Sequence, residues 1–199
     1  MSEERKYPEE VSLNKKGWGA ELWDIIKVLA ISLAIVLPFR YYIAQPFIVR
    51  GASMEPTFED REYLIIDEVT YYFNAPERGE VIVFRYPRDP RQFFIKRIIG
   101  LPGEKVETKD GRVKLYNAAY PDGFTLEEFY LVPPGKETQP NLTITLGQDE
   151  YFVLGDNRGF SSDSRVWGPL HKKLIVGRVL FRAWPLSRLG AVKDYSFSF

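Results

Sequence analysis

The sequence predicts a mainly β protein that carries one apolar segment near its N-terminus. After Gln45, short runs of β-forming residues alternate with turn residues such as glycine and proline. No helical periodicity of useful length follows residue 50, and no internal repeat is evident. The 199 residues suffice for one sizeable core. We therefore expect a β core with a subdomain that shares it, preceded by an N-terminal transmembrane helix.

Composition argues against several classes of function. Lysine plus arginine and aspartate plus glutamate number 27 each, so the formal net charge is zero and no broad basic field for nucleic acid is expected. The chain contains no cysteine, which removes disulfides, thiolate catalysis and thiolate metal ligands. His171 is the single histidine, which argues against an imidazole zinc site. We expect no metal, no other cofactor and no nucleic-acid partner.

The apolar run from Val28 to Phe39 is flanked by aromatic residues on both sides. Trp18 and Trp23 precede it, and Tyr41 and Tyr42 follow it, as in the aromatic belts of membrane spans. A helix from Trp23 to Tyr41 is about 27 Å long, close to the hydrocarbon thickness of a bilayer. The sequence thus predicts a transmembrane signal anchor.

Two alternatives to the anchor remain open. A cleavable signal peptide needs small residues three and one before the cut, and residues 40–47 offer no such pair. An amphipathic helix packed on the domain is the other alternative. Basic residues are more frequent before the run than just after it, which places the N-terminus in the cytoplasm. We therefore divide this part into a cytoplasmic segment, residues 1–21, and the anchor, residues 22–44.

The remaining chain is predicted to form two parts of one β core, separated by an insertion. The predicted strands are residues 47–50, 63–67, 80–86, 93–99, 151–154 and 174–184. Residues 106–150 are rich in turn residues and weak in apolar patterning, so we expect a loop-rich β subdomain there, with a disordered loop as the alternative. The core then comprises residues 45–105 and 151–199.

A candidate nucleophile follows the first predicted strand, in the sequence GASMEPT. Gly51 and Ala52 let the backbone approach a substrate closely, and Pro56 fixes the turn beyond Ser53. Serine needs a base to become a good nucleophile. The alternative is that Ser53 only caps or forms a turn.

The candidate base is Lys96, within the predicted strand FFIKRII. Phe94 and Ile98 share its face of the strand. A lysine among large apolar side chains has a lowered pKa, because burial disfavours its charged form. The alternative is an edge-strand lysine whose ammonium group reaches solvent.

A polar loop that begins at Gly155 is the third candidate. Its short polar and charged residues include Asp156, Asn157, Asp163 and Arg165. They predict a buried network of ion pairs and hydrogen bonds that holds a site rigid. Ser161 or Ser164 is placed to orient a neutral lysine amine. A solvated surface loop with an Asx-turn is the alternative.

A histidine triad is the competing catalytic arrangement. Ser53, Asp163 and His171 occur in the chain order of an α/β-hydrolase triad. However, Ser53 lacks the G-x-S-x-G elbow, and the chain shows no alternation of strands and helices. The pattern therefore favours Ser53 with Lys96.

Four stretches resemble the conserved boxes of type I signal peptidases, and they occur in the family's order behind an N-terminal span. They are SMEPT at Ser53, RGEVIVFRYP from Arg78, FIKRIIGLPGE from Phe94 and GDNRGFSSDSRVWG from Gly155. One box would be a weak signal, whereas four in order are highly specific. The sequence is thus similar to this family of serine–lysine peptidases over most of the chain except the insertion.

The resemblance implies roles for individual residues. Ser53 would be the nucleophile and Lys96 the general base, with Ser161 orienting the lysine. The residues that would support the site are Asp156, Asp163 and Arg165, the last two as an ion pair. Some members carry a serine two positions before the nucleophile, whose hydroxyl helps to stabilise the oxyanion. Here that position is Gly51, so the Ser53 backbone N–H is one donor and a backbone group or water near Gly51 would be the second.

The resemblance also implies a substrate and a location. Members of the family remove signal peptides from exported preproteins, cutting after small-x-small sequences, and their β core faces the trans side of the membrane. We expect a monomer whose partners are preprotein signal peptides and the lipid bilayer of a cell membrane or a thylakoid. Apolar surface that includes Phe47 and Phe58 is expected to dip into the bilayer. The alternatives are a serine–lysine peptidase with another client and a non-enzymatic β domain that binds extended peptides.

Overall fold

The computed structural model describes residues 18–42, 44–131, 138–192, 195 and 197. The chain divides into two compact units, residues 1–39 and residues 40–199. Helix α1, Trp18–Tyr42, is 25 residues long, and its large apolar side chains are exposed wherever they are described. Within the described ranges, no helix combines the length and the apolar character needed to cross a membrane. Residues 1–17 of the predicted cytoplasmic segment and residue 43 of the predicted anchor lie outside the described residues.

Twelve antiparallel strands form the described part of the second unit. They are β1 Ala44–Ile48, β2 Tyr63–Asp67, β3 Val81–Tyr86, β4 Asp89–Gly100, β5 Lys105–Lys109, β6 Arg112–Tyr116, β7 Phe124–Thr125, β8 Leu142–Thr145, β9 Glu150–Leu154, β10 Leu170–His171, β11 Ile175–Trp184 and β12 Gly190–Ala191. The main sheet has the order β1-β2-β11-β3-β4-β9-β10, with β12 paired to β11, and the second sheet has the order β7-β6-β5-β8. The mainly β prediction is confirmed.

Strand β4 pairs with two neighbours in succession. Strand β3 pairs with it from Asp89 to Arg97, whereas β9 pairs with it only from Arg97 to Gly100. Among the described strands, none covers the edge of β4 that lies before Arg97 and faces away from β3. This uncovered edge is one wall of the cleft described below.

Two predicted strands differ from the structure by more than one residue at an end. Strand β1 lies at residues 44–48 rather than 47–50, because the Val49 backbone bonds instead to Arg61 and Glu62 of the loop that follows. Pro46, which has no N–H, is tolerated because β1 is an edge strand. Strand β4 begins at Asp89 rather than at residue 93, because it forms a tight hairpin with β3.

Two one-turn α-helices, α2 Thr70–Phe73 and α3 Ser164–Trp167, lie after residue 50. A single turn is too short to produce the helical periodicity by which a sequence predicts a helix. Helix α3 begins after Asp163, whose side chain accepts a hydrogen bond from the Arg165 backbone N–H. This cap fixes the end of the polar loop.

The two sheets share one apolar core. Ile99 and Phe152 of the main sheet pack with Val106 and Leu115 of the second sheet, and all four are fully buried. A separate cluster on the main sheet includes Phe58, which is also fully buried. The expectation that Phe58 dips into a bilayer is therefore wrong, because its ring is part of the core.

Candidate active site

The loop between β1 and β2 carries Ser53 and is anchored by buried apolar side chains. Met54 and Phe58 are both fully buried, and the Phe58 N–H donates to the Met54 carbonyl over 2.9 Å. Gly51 has a φ of 85°, which an L side chain adopts only with strain. The peptide bond before Pro56 is cis. The loop thus holds Ser53 on a core-anchored turn.

Lys96 of β4 meets Ser53 at hydrogen-bonding distance. Its Nζ lies 2.7 Å from Ser53 Oγ and 2.7 Å from the carbonyl oxygen of Ile95. The ring of Phe94, on the same face of the strand, has its centroid 5.5 Å from Nζ. Lys96 is only 3% exposed. The structure therefore places it in the apolar setting that the strand pattern predicts, not at a solvated edge.

The environment of Lys96 favours its neutral form. Burial lowers its pKa to about 8 from 10.5, while the carboxylates of Asp163 and Asp156 oppose that fall and the Arg165 guanidinium adds to it. An amine with this pKa is neutral often enough near neutral pH to accept a proton. Ser53 and Lys96 together thus form a hydroxyl–amine pair that can generate a nucleophile.

Asp156 connects the polar loop with β4 and with the Ser53 loop. Arg97, the residue after Lys96, is fully buried and donates through Nε and Nη2 to the two carboxylate oxygens of Asp156, over 2.9 and 2.6 Å. Thr57 Oγ1 donates to the same carboxylate over 2.6 Å. Charge-assisted bonds with such paired geometry are the strong ones. Asp156 therefore ties the nucleophile's loop to the strand that carries the lysine.

Asn157 holds the backbone beside Ser53. Its N–H donates to the Ser53 carbonyl, and its side-chain amide donates to the Ala52 carbonyl, each over 3.0 Å. The backbone of Gly155 also lies against the Ser53 loop. A Cβ atom at position 155 would be 2.5 Å from the Ser53 carbonyl oxygen and 2.2 Å from Ser161 Oγ. Only glycine fits at position 155 without displacing the loop.

Asp163 and Arg165 form a buried ion pair, as the polar-loop pattern predicts. Their closest atoms are 2.7 Å apart, and their side chains are no more than 4% exposed. Asp163 also accepts from the Gly155 N–H over 3.1 Å. Arg165 donates further to the carbonyl oxygens of Gln139 and Arg158. The pair closes the polar loop and links it to the region of the second sheet.

The two serines proposed to orient the lysine have different surroundings. Ser164 Oγ accepts from the Val153 N–H over 3.0 Å, and the structure shows no hydrogen bond between it and Lys96. Ser161 Oγ is buried and has no hydrogen-bond partner among the described residues. The structure shows no hydrogen bond between Ser161 and Lys96, and the orienting role of Ser161 stays a prediction.

The two backbone donors considered for an oxyanion differ in availability. The Gly51 N–H donates to Asp60 Oδ1 over 2.8 Å, so a carboxylate already occupies it. The Ser53 N–H has no acceptor within the described part of the chain. Of these two groups, Ser53 N–H is the one that is free to bind a developing oxyanion.

His171 takes no part in this arrangement. It is exposed at the edge of the main sheet, and its Nδ1 accepts from the Lys173 N–H over 3.2 Å. Asp163 is bonded instead to Arg165 and Gly155. The structure therefore does not assemble the alternative histidine triad.

A cleft of about 730 Å³ opens beside the two residues. Its walls come from β1 with the segment after it and from the first half of β4. Its lining residues are Pro46, Phe47, Ile48, Val49, Arg50, Ser53, Leu64, Val83, Arg91, Gln92, Phe93, Phe94, Ile95, Lys96 and Ser162. The rings of Phe47 and Phe93, one from each wall, have centroids 5.4 Å apart. The cleft is lined by residues of two strands, and most of its lining residues are apolar, which suits an extended peptide.

Comparison with known proteins decides the family. The sequence profile described as signal peptidase, peptidase S26, matches residues 22–184. The chain belongs to this family.

The probable signal peptidase I-1 of Synechocystis sp. (strain ATCC 27184 / PCC 6803 / Kazusa) is 38% identical over 186 residues, which are 88% of this chain and 91% of that protein. The signal peptidase I of Leptolyngbya laminosa is 38% identical over 177 residues, 85% and 83% of the two chains. The probable thylakoidal processing peptidase 2, chloroplastic, of Arabidopsis thaliana is 34% identical over 195 residues, 92% of this chain and 51% of that protein.

Sequence reasoning on this S26 peptidase missed two buried arginines. Arg97 pairs with Asp156, and Arg158 pairs with Glu128 through both Nη atoms and donates to Thr138 Oγ1 over 2.5 Å. A signal was present for Arg97, because a cation inside an otherwise apolar strand needs a buried carboxylate. Nothing local pointed to Glu128, which lies 30 residues before its partner.

Proposed function

We propose that the chain is a membrane-bound serine endopeptidase that removes N-terminal signal peptides from exported preproteins. The observation that carries the proposal is the 2.7 Å contact between Ser53 Oγ and Lys96 Nζ beside a cleft lined by two strands, in a member of the S26 family. Relatives named signal peptidase I align with most of the chain. Both residues come from one chain, which supports a monomeric enzyme.

In this proposal Ser53 is the nucleophile and Lys96 the base. Neutral Lys96 takes the hydroxyl proton as Ser53 Oγ attacks the scissile carbonyl carbon, and the Ser53 N–H binds the developing oxyanion. Lys96 then gives the proton to the leaving amine as the C–N bond breaks, which leaves an acyl-enzyme. A water that loses its proton to Lys96 hydrolyses this ester, releases the signal peptide and restores the serine.

The neighbouring loop supports the pair. The buried Ser161 Oγ has no partner among the described residues, so it is free to bond to the lysine amine and orient it. Asp156, Asp163 and Arg165 hold the loop through their buried ion pairs. We assign these four residues positioning roles, because their chemistry acts through Lys96 and through the backbone of the Ser53 loop.

The substrate binds as an added strand. Strand β1 and the first half of β4 each present an edge without a partner among the described strands, and these edges flank the cleft. Main-chain hydrogen bonds to such an edge are indifferent to side chains, so specificity comes from the walls. We propose that Ile48, Val83 and Ile95, which line the cleft, limit it to small side chains, as a small-x-small cut site requires.

We propose that residues 22–44 anchor the enzyme in a cell membrane, with the N-terminus in the cytoplasm and the β domain on the trans side. The support is the aromatic-flanked apolar run and the exposed apolar side chains of α1. A thylakoid membrane fits the same features, and one relative is named as a thylakoidal peptidase. Retention in the membrane fraction after an alkaline wash checks the anchor, and release of the full chain would contradict it.

The test is cleavage of a purified preprotein with an Ala-x-Ala site by the full chain in detergent. Ser53→Ala and Lys96→Met should each reduce the rate by at least about a hundredfold, because one lacks the nucleophile and the other the base. His171→Ala is the control, since His171 lies outside the site and should leave the rate unchanged. Cleavage by Lys96→Met at the original rate would contradict the serine–lysine mechanism. Binding of the preprotein without any cut would indicate a peptide-binding domain.

A further inference from the structure

The cleft that holds Ser53 is lined by cations and by no acid. Arg50, Arg91 and Lys96 are its ionisable lining residues, and no aspartate or glutamate is among the residues that form it. The net charge of the whole chain is zero, so this bias is local to the cleft. A surface with one sign of charge selects partners of the other sign.

Of the three cations, Arg50 is the one that is both exposed and without an acidic partner among the described residues. Arg91 is paired, with its Nε and Nη2 at 2.8 and 3.1 Å from the Asp89 carboxylate. Lys96 is buried and is the base of the proposed reaction. Arg50 is exposed, and no ion pair joins it to any residue that the structure describes. The carboxylate of Asp60, on the same loop, is held by the Gly51 N–H and by Arg61 instead.

The position of Arg50 relative to Ser53 sets the range over which it can act. Only two residues separate them, so their Cα atoms are at most about 11 Å apart. An extended peptide advances about 3.3 Å per residue. The Cα separation thus spans about three residues of an extended peptide, so the residues within about three positions of the scissile bond are the first candidates to meet the Arg50 guanidinium.

We propose that Arg50 is a specificity-determining residue that favours peptides with an aspartate or glutamate within about three residues of the cut. The proposal rests on the proposed peptidase function and adds a charged feature to its substrate class. A guanidinium binds a carboxylate through two parallel hydrogen bonds, which gives such a contact direction as well as charge. Arg50 lines the cleft that holds the nucleophile, which favours the peptide over a lipid headgroup as its partner.

The expected effect is modest because Arg50 is exposed. Solvent-exposed ion pairs are screened by water and salt, so the preference should be about two- to fivefold in kcat/KM at low ionic strength. It should disappear near 1 M salt, where the screening length falls to about 3 Å. A preference carried by shape alone would not respond to salt in this way.

The experiment uses the full chain in an uncharged detergent and matched peptide pairs with one small-x-small cut site. The members of a pair differ only in glutamate or glutamine at one of four positions, the second residue before the cut or one of the first three after it. At one or more positions the glutamate peptide should have the higher kcat/KM.

The ratio of kcat/KM between the glutamate and glutamine peptides should fall to about one in Arg50→Gln. Arg50→Glu should instead prefer a peptide with lysine at the same position. Arg112→Gln, an exposed arginine on the second sheet, is the matched control and should keep the wild-type ratio.

Three outcomes would overturn the proposal. Equal kcat/KM for both members at all four positions, with both peptides cut, removes the charge preference and leaves the peptidase function intact. A preference that persists in Arg50→Gln assigns it to another group. A preference that appears only after anionic lipid vesicles are added places Arg50 at the lipid headgroups. If the wild type cuts no peptide at all, the peptidase function fails together with the inference.

Discussion

Lys96 lies where its charge opposes folding. Burial takes its pKa from 10.5 to about 8. Below pH 8 the folded chain must hold an ammonium group that the unfolded chain hydrates freely, which costs about 3 kcal/mol of stability. Between pH 8 and 10.5 the unfolded state binds more protons than the folded state, so the cost shrinks as the pH rises. Above 10.5 both states hold the neutral amine and the cost is gone.

Replacing Lys96 by Met should therefore stabilise the protein. At pH 7 we expect the free energy of unfolding to rise by up to about 3 kcal/mol, and near pH 9.5 by only about 1 kcal/mol, because the wild-type lysine is then already neutral in the folded state. Urea unfolding of both full-length proteins in detergent at the two pH values measures the difference. A variant that is less stable than the wild type at pH 7, or a gain that does not depend on pH, would show that Lys96 is not destabilised by burial.

At the scale of elements, one loop positions another. The loop after β9 reaches the backbone around the nucleophile through Asn157, which donates to the carbonyls of Ala52 and Ser53. Gly155 of the same loop approaches the Ser53 carbonyl too closely for any side chain. The position of Ser53 Oγ is thus set from a segment about 100 residues away in the sequence.

We expect Asn157→Ala to lower kcat more than it changes KM. The substitution removes one hydrogen bond to the Ser53 loop, about 1 kcal/mol of stability, and lets the nucleophile shift relative to the lysine. Small misplacements of a reacting group can reduce the rate up to about a hundredfold. Steady-state kinetics on an Ala-x-Ala peptide measures the two constants. Asn141→Ala, at an exposed asparagine of the second-sheet region, is the matched control. An unchanged kcat in a folded Asn157→Ala protein would show that the hydrogen bond to Ala52 does not position Ser53.

The sequence predicts those site residues whose surroundings depend on their immediate neighbours in the chain. Period-two alternation places Lys96 beside Phe94, and a turn sequence after a strand exposes Ser53. The partner of Arg97 could not be predicted in this way, because Asp156 lies 59 residues further along and only the sheet order brings it near. The same limit applies to strand ends, since β1 stops at Ile48 only because Val49 finds hydrogen bonds across the loop.

At the scale of the whole molecule, a buried ion pair joins the region of the second sheet to the polar loop that begins at Gly155. Arg158 of that loop is buried, and its guanidinium bonds to the Glu128 carboxylate, to Thr138 Oγ1 and to Tyr130 Oη. Burial alone would lower the pKa of Arg158, and the Glu128 carboxylate raises it above its ordinary value instead. The region between the two halves of the core is therefore joined to the polar loop by the Arg158–Glu128 ion pair as well as by the shared apolar core.

Glu128→Gln should destabilise the protein strongly. Removing one member of a buried pair leaves the other charge without compensation, which typically costs about 3–5 kcal/mol. Urea unfolding followed by tryptophan fluorescence measures the loss. Asp89→Asn, which breaks the exposed Arg91 pair, is the matched control and should cost under about 1 kcal/mol. The double variant Glu128→Gln with Arg158→Met should recover much of the loss. Equal effects of Glu128→Gln and Asp89→Asn would show that the buried pair is no more than a surface contact.

Strand β4 is paired on both edges only from Arg97 onward, and this bears on how many different proteins one such enzyme can process. Strand β9 covers the edge of β4 from Arg97 onward, one residue beyond Lys96, and leaves the earlier residues open. A bound chain can therefore continue the sheet along β4 on one side of the cut, and on the other side it meets an edge that is already occupied. If the signal peptide that all clients share lies along the open part of this edge, the enzyme grips that segment and makes no strand pairing with the attached cargo. In that case the free part of one strand edge is what allows the enzyme to cut preproteins with different mature sequences.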